Sequence, residues 1–489
     1  MRAAPKVLTI CLTALLTSCA VGPNFKRPAP PPGHDYTPNP VSTTSSATNI
    51  GGGESQRFVT SQDIAGDWWT LFHSEPLNDL IERSLKANQS LQAAQAALVV
   101  ARENVMAQKG YYYPSVGGSF SALRQRTSAE IAPVPNANQF EFSLFTPQLT
   151  VSYVPDVFGL NRRTVESLNA QAEQARFAWV AADISLSANV VTAAIQEASL
   201  RAQIDATREL IQINTNMLKI LRAQFSKGYA SRLEVAAQES QLAQVVATLP
   251  PLLKQLAQQR DLLAVLAGAY PSETLPEEFQ LSALHLPQEL PLSLPSQLVA
   301  QRPDVRQAEE NLHAASAEIG IAAANRLPNF LLSADAGSMA LEAGKIFSSG
   351  TGFWTLAGSV TQPIFEGGTL MHRERAAKAA YTQTAEQYRA TVLTAFQNVA
   401  DTLNALETDA DALNAAAASR NATKITLDLA QRQWQSGYAS YLSLLSAEQA
   451  YNQAAIVLIQ AQANRYTDTA ALFQALGGGW WNRADLKGK

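Results

Sequence analysis

Charge is scarce in this 489-residue sequence. Asp, Glu, Lys and Arg make up 16% of it and the formal net charge is −4, against about 25% charged residues in an average soluble chain. That balance excludes a basic nucleic-acid binder and disfavours an ordinary cytosolic enzyme. Cysteine is nearly absent, with only Cys11 and Cys19, so no disulfide framework or cysteine metal site is available. The five histidines (34, 73, 285, 313 and 372) are scattered and none belongs to an HExxH pair. No Walker loop or dinucleotide glycine fingerprint occurs, so the sequence offers no recognisable nucleotide site. The Gly117-Gly118-Ser119-Phe120-Ser121 stretch misses the last glycine of a nucleophile elbow. Met217 and Met339 read as packing and loop residues rather than a metal relay. Mean hydropathy is −0.08, too low for a bundle of membrane helices.

Hydrophobic residues still make up 46% of the chain, enough to bury a large core. At ~150 residues per domain the length suggests roughly three domains, or one unusual one. Residues 1–18 read as a lipoprotein signal peptide. Arg2 and Lys6 precede a short apolar core, Val7 to Leu16, which is too short to span a bilayer. Leu16-Thr17-Ser18-Cys19 then resembles a lipobox, so Cys19 is expected to carry a covalent lipid as the first mature residue. Ala20 rather than Asp in the next position favours the outer membrane by the same resemblance. Residues 19–76 read as an extended arm, rich in Pro, Gly, Ser and Thr up to about residue 60.

The body of the chain repeats itself. Gly228-Tyr229-Ala230-Ser231 recurs as Gly437-Tyr438-Ala439-Ser440, and Glu239 meets Glu448 at the same spacing. Earlier in each copy Ala94 meets Ala308 and Pro114 meets Pro328 at a slightly larger spacing. That difference implies a hairpin loop about five residues longer in the first copy. Residues 77–268 and 297–477 are thus two copies of one unit, separated by 269–296 and followed by a tail, 478–489. Each copy starts with a helical pattern, 77–110 in the first. From Pro114 the period becomes two: Val116, Gly118, Phe120 and Ala122 alternate with Ser115, Gly117, Ser119 and Ser121. Leu149, Val151 and Tyr153 do the same, as do Phe330, Leu332 and Ala334, then Trp354, Leu356, Gly358 and Val360. Such alternation over ~10 residues is the pattern of a transmembrane barrel strand.

Asn161 to Lys227 contains no Pro or Gly, enough helix for about 100 Å at ~1.5 Å per residue. Val165, Leu168, Ala172, Ala175, Trp179, Ala182 and Leu186 form its heptad seam. Residues 369–436 form the equivalent helix. The turn at Gly228 leads into a second helix, 231–266, interrupted by Pro250-Pro251. Segments 77–110 and 231–266, stacked end to end, match the long helix in length.

Four strands cannot close a membrane barrel, and open edges are not tolerated in lipid. Two copies would close eight strands around packed side chains, and three would close twelve around a lumen. The polar inner faces favour three. The expected fold class is therefore an α+β membrane protein. It is internally duplicated, with four strands per protomer in a twelve-stranded trimeric barrel continuous with a long helical barrel.

Several motifs then carry a resemblance that covers nearly the whole mature chain. They are Cys19 with Val21-Gly22-Pro23-Asn24; Trp68-Trp69 with Phe72, Leu77 and Leu80; Tyr113-Pro114; and Tyr153 with Asp156-Val157-Phe158-Gly159. Arg302-Pro303-Asp304-Val305-Arg306 with Ala308-Glu309, Gln362-Pro363-Ile364-Phe365 with Gly367-Gly368, and Gly477-Gly478-Gly479-Trp480 complete the set. In this order they resemble the TolC-like outer-membrane efflux family, in its NodT- or OprM-type lipoprotein branch. The resemblance implies a homotrimer with a small equatorial domain drawn from 269–296, the arm and the C-terminus. It also implies a passive exit duct, joined through a periplasmic membrane-fusion adaptor to an RND-type inner-membrane pump. The cofactor expectation is none beyond the lipid on Cys19. A type I protein secretion outlet is the same-fold alternative, and a pore-free lipid-anchored coiled-coil scaffold is a rival of another class that the alternating strands oppose.

In that family the Gly-Tyr-Ala-Ser turns are periplasmic tips, where the duct narrows and the adaptor docks. The candidate residues are Gly228, Tyr229, Ser231, Arg232 and Glu234 in the first turn, and Gly437, Tyr438, Ser440, Tyr441 and Ser443 in the second. Gly228 and Gly437 permit the turns, and Ser231 and Ser440 suit N-caps. Glu234 stands where the family often has a carboxylate, with Arg232 as its counter-charge. Ser443 and Ser446 replace acidic residues in the second turn, so a charged constriction is expected from the first turn alone. Tyr441 is left there as a ring or hydrogen-bond contributor.

Overall fold

A computed structural model describes residues 20–29, 35–126, 128, 141–273 and 275–486. The signal peptide and Cys19 therefore lie outside the described residues. The elements, in chain order, are β1 (Arg57–Thr60), α1 (Glu75–Ala87), α2 (Gln89–Lys109), β2 (Ser115–Arg126), β3 (Glu141–Tyr153), α3 (Leu160–Ser226) and α4 (Arg232–Leu266). They continue as β4 (Glu289–Leu292), α5 (Pro295–Gln301), α6 (Pro303–Ala324), β5 (Asn329–Ser338), β6 (Gly352–Thr361), α7 (Thr369–Gln435) and α8 (Tyr441–Ala475). The long helices α3 and α7 have 67 residues each, and α4 and α8 have 35 each.

Contacts divide the described residues into two compact units, and each unit draws on both sequence repeats. One is built from Met1–Pro28, Leu98–Ala175 and Ala308–Tyr388, and the other from Ala29–Ala97, Arg176–Gln307 and Arg389–Lys489. The first holds a four-stranded antiparallel sheet in the order β2-β3-β5-β6. Its register aligns the alternation read from the sequence. Gly118, Leu149, Ala336 and Trp354 form one cross-strand row, and Val116, Val151, Ala334 and Leu356 the next. The row between them is Gly117, Thr150, Asp335 and Thr355, and the row beyond Val116 is Ser115, Ser152, Ser333 and Ala357. Thr150 Oγ1 donates to Asp335 Oδ1 at 2.6 Å. Because side chains alternate across a strand, one sheet face is mainly apolar and the other is polar through its middle, with Leu123, Leu144, Leu331 and Phe353 also on it. The extra length of the first hairpin lies in its strands, of 12 and 13 residues against 10 and 10. Its connecting loop falls almost wholly outside the described residues, so the expectation of a longer loop gives way to longer strands.

The second unit gathers the arm around the helices. β1 pairs in parallel with β4, so part of the arm is a strand, too short at four residues to show a period. Trp68 stacks on Phe473 with ring centroids 5.1 Å apart, and both are buried. Arg465, also buried, donates to the carbonyls of Glu54 (2.9 Å) and Leu406 (3.3 Å).

Three helical expectations change. The 77–110 pattern is two helices, broken at Asn88. The side chain of Asn88 accepts from the Leu91 N–H and donates to the Leu266 carbonyl, both at 3.1 Å. Arg302, at the corresponding position of the second repeat, breaks α5 from α6 and donates to the Ala475 carbonyl at 2.9 Å. Leu266 and Ala475 are the last residues of α4 and α8, whose terminal carbonyls lack intrahelical donors. Each helix break thus supplies a donor to an orphan acceptor. Second, α4 runs unbroken through Pro250 and Pro251. Both prolines are exposed, so water can serve the carbonyls that lose a donor. Third, the heptad seam of α3 is only partly buried within one chain. Val165, Ala172 and Leu186 are buried, but Leu168, Ala175, Trp179 and Ala182 are half-buried, while Phe177, Val180 and Ile184 pack inside instead. An 18-residue stretch of α3 is apolar enough to cross a membrane, yet 61% of it is buried in the protein; its apolar side chains serve packing.

Asn88→Ala removes a cap and leaves the Leu266 carbonyl unpaired. It is expected to destabilise the unit by about 1–2 kcal/mol, read as a lower melting temperature of the purified protein, whereas Gln89→Ala next to it has no such effect.

Candidate functional site

The two Gly-Tyr-Ala-Ser turns close the helix pairs α3–α4 and α7–α8. Both helices end the same way. Gly228 and Gly437 have φ of 81° and 78°, the left-handed region that an L side chain rarely adopts. The next N–H, of Tyr229 or Tyr438, reaches back to the carbonyl of Gln224 (2.9 Å) or Gln433 (2.8 Å), closing a Schellman motif. This geometry turns the two tyrosine side chains outward, 82% and 89% exposed.

The helices that follow start differently. Ser231 and Glu234 form a reciprocal capping box: the Glu234 N–H donates to Ser231 Oγ at 3.2 Å, and the Ser231 N–H to Glu234 Oε2 at 2.6 Å. At the second turn Ser440 Oγ accepts from the Ser443 N–H at 3.2 Å, and with Ser at that position no carboxylate returns the bond.

This arrangement corrects one expected pairing and gives Tyr441 its partners. Arg232 does not pair with Glu234, whose carboxylate is engaged by its own turn. It faces Glu239 at 3.8 Å, and Arg222 of α3 holds that same carboxylate at 2.9 Å. The Arg222 hydrogen bond keeps the Glu239 carboxyl below its ordinary range. Tyr441 is not presented outward but is buried between the helix pairs, in a core of Met217, Leu218, Leu221, Val235 and Leu444. Its hydroxyl donates to Gln238 Oε1, and Gln238 Nε2 donates to Asn214 Oδ1 at 3.0 Å. Burial pushes the Tyr441 phenol well above its usual range.

Sequence reasoning missed Arg222, Gln238 and the different fates of Glu239 and Glu448. The repeat pairs these two carboxylates, but Gln431 stands where Arg222 would be. Without that cation Glu448 is buried, and its Oε2 meets no hydrogen-bond partner among the described residues. Desolvation raises its carboxyl to about 7. The available signal was the loss of the arginine from the second copy. Among the described residues, no cluster of three or more His, Cys, Asp or Glu is placed to hold a metal ion.

Residues 80–269 and 294–478, one segment in each repeat, match the family model described as outer membrane efflux protein. The chain belongs to the outer membrane efflux protein family. A relative in this family, the probable efflux pump outer membrane protein TtgC of Pseudomonas putida, is 29% identical over 486 residues, covering 98% of this chain and 96% of its own. Among solved structures, the outer-membrane channel OprN superposes with a TM-score of 0.83 at 25% identity, covering 94% of this chain and all of its own. The open state of the Neisseria gonorrhoeae MtrE outer membrane channel gives 0.80 at 26% identity, over 94% of this chain and 98% of its own. Family membership assigns the chain to the outer membrane and to transport rather than catalysis.

The Glu448 carboxyl titrates about 7 when folded and near 4.5 when exposed. A raised folded value means that its contribution to stability is full below about 4.5 and is lost as pH rises through 7. Melting temperature is therefore expected to fall between pH 5 and pH 8, and Glu448→Gln to flatten that dependence and stabilise the protein at pH 8.

Proposed function

We propose that three copies of this chain form the exit duct of a tripartite efflux system. Their sheets close a twelve-stranded barrel in the outer membrane, and their helices form the periplasmic duct. The sheet carries the reading. It has an apolar face, a polar face, and edge strands β2 and β6 that pair with nothing else among the described residues. In hydrocarbon such edges must be closed, because each unpaired backbone group costs several kcal/mol. Pairing β6 of one copy with β2 of the next closes them and turns the Thr150, Asp335 and Thr355 row toward a wet lumen. The efflux names of the relatives support a route for small molecules such as drugs, fed by an RND-type inner-membrane pump through a periplasmic adaptor. The lipid on Cys19 adds an anchor. The exposed Tyr229 and Tyr438 turns form the adaptor-docking tips. At the first turn Gly228, Ser231 and Glu234 shape the backbone, and the exposed guanidinium of Arg232 supplies charge to the constriction. At the second, Gly437, Ser440 and Ser443 shape the turn and Tyr441 locks the helix pairs together.

Two measurements test this. A lysine on the apolar row, Leu356→Lys, costs about 2–4 kcal/mol near the bilayer midplane and is expected to abolish heat-modifiable trimers, whereas Thr355→Lys on the polar row leaves trimers intact. Equal tolerance of both would overturn the barrel. In planar bilayers Arg232→Ala is expected to raise single-channel conductance without lowering the melting temperature. Glu234→Ala is expected to lower the melting temperature, because it dismantles the cap. Wild-type conductance in Arg232→Ala would remove that residue from the constriction.

A further inference from the structure

The N-terminal arm runs extended along α6 from Arg27 back to Gly22, then bends, and its first described residue lies beside a groove whose chemistry suits a lipid ester. From Gly22 onward it lies along α6. A Cβ on Gly22 would sit 2.4 Å from Gly320 Cα, so the two backbones touch. Phe25 stacks on His313 with ring centroids 4.4 Å apart, and Arg27 Nε meets Glu309 Oε1 at 2.9 Å. Buried Arg163 of α3 clamps the same stretch, donating to Val21 O (3.0 Å), Gly22 O (3.2 Å) and Asn24 Oδ1 (2.9 Å). Gly22 to Arg27 therefore covers Gly320 to Glu309, about 16 Å of helix at ~1.5 Å per residue. That is ~3.3 Å per arm residue, the rise of a fully extended chain.

At Val21 and Gly22 the chain bends, with Gly22 at φ 93°, and contacts fix where its first described residues lie. The Val21 N–H donates to Phe158 O at 3.1 Å, and Ala20 touches Gly159, where an added Cβ would be 2.6 Å from Ala20 Cβ. Beside this point, between the two strand-to-helix corners, opens a groove of about 620 Å³. Tyr111, Val154, Val157, Phe158, Leu160 and Leu327 supply its apolar walls. Asn161 also lines it; its Oδ1 accepts from Gln108 Nε2 at 2.7 Å, but its Nδ2 is buried with no acceptor among the described residues. Asp156, Thr164 and Asn325 are among its other, polar lining residues; the apolar walls beside a free amide donor match an acyl chain next to its ester carbonyl. Cys19 is one peptide from Ala20, about 3.8 Å between Cα atoms.

We infer that this groove receives an acyl chain of the lipid on Cys19, with Asn161 Nδ2 donating to an ester carbonyl. The inference rests on the lipidation stated under the proposed function. Seating the chain in protein would tie the anchor to the base of the sheet instead of leaving it free in the bilayer.

The test uses the full-length chain with its own leader, carrying a benzophenone amino acid at Tyr111 or at Tyr113. Both positions are exposed, but only Tyr111 lines the groove. Each variant is confirmed as a heat-modifiable trimer, illuminated in outer membranes, digested and read by peptide mass spectrometry. The mass of the N-terminal peptide reports acylation of Cys19 independently of any crosslink. The expected result is an acylated N-terminal peptide joined through its acyl chain to the Tyr111 peptide, at about tenfold or more the yield at Tyr113. Acylation with equal yields at both positions overturns the groove. So does Tyr111 joined only to free phospholipid or to a neighbouring copy. An unmodified Cys19 overturns the lipidation itself, and the inference with it.

Discussion

The unpaired backbone at the two edges of the four-stranded sheet governs the rest of this molecule. Strands β2 and β6 each have one side without a strand partner among the described residues. Water would satisfy those N–H and C=O groups, but the hydrocarbon of a membrane cannot. The proposed pairing of β6 of one copy with β2 of the next answers that constraint. The same reasoning explains why the sheet's two faces differ so sharply, with Trp354 and Leu356 on one and Thr150 and Asp335 on the other.

Duplication met a second backbone problem twice, with different side chains. The C-terminal carbonyls of α4 and α8 need donors. Asn88 supplies one and Arg302 the other, each from a break between two helices. The substitution is possible because a donor at the right place is all that the carbonyl requires. Charge has diverged more. Glu239 keeps Arg222, whereas Glu448 has lost its arginine and lies buried with a raised carboxyl. The two turns therefore share a backbone but not their electrostatics, and only the second carries a pH-sensitive group in its core.

Much of this was legible in the sequence. The recurrence of Gly-Tyr-Ala-Ser fixed equivalent turns, the Pro- and Gly-free stretches gave α3 and α7 almost to the residue, and the alternation gave both hairpins. The break at Asn88 was not legible, because a single polar residue in a helical pattern is ordinary until its distant acceptor is known. Nor was continuity through Pro250-Pro251, which depends on those residues facing water. At the turns the glycines and capping serines were readable from local chemistry. The partners of Arg232 and Tyr441 were not, since Glu239 lies two turns further along the same helix with Arg222 of α3 on its carboxylate, and Gln238 meets Tyr441 only through packing between helices.

What the sequence determined by itself was everything that follows from period and local backbone chemistry: the duplication, the strand faces, the helix lengths and the capped turns. These depend on residues a few positions apart, where spacing alone decides which side chains share a face. Tertiary structure decided which charges meet, which carboxylate is stranded, and where the arm lies. Several of those outcomes join residues more than a hundred positions apart, as Arg163 joins Asn24 and Tyr441 joins Gln238. No local pattern encodes such pairs, because distance in space is set only once the helices have packed.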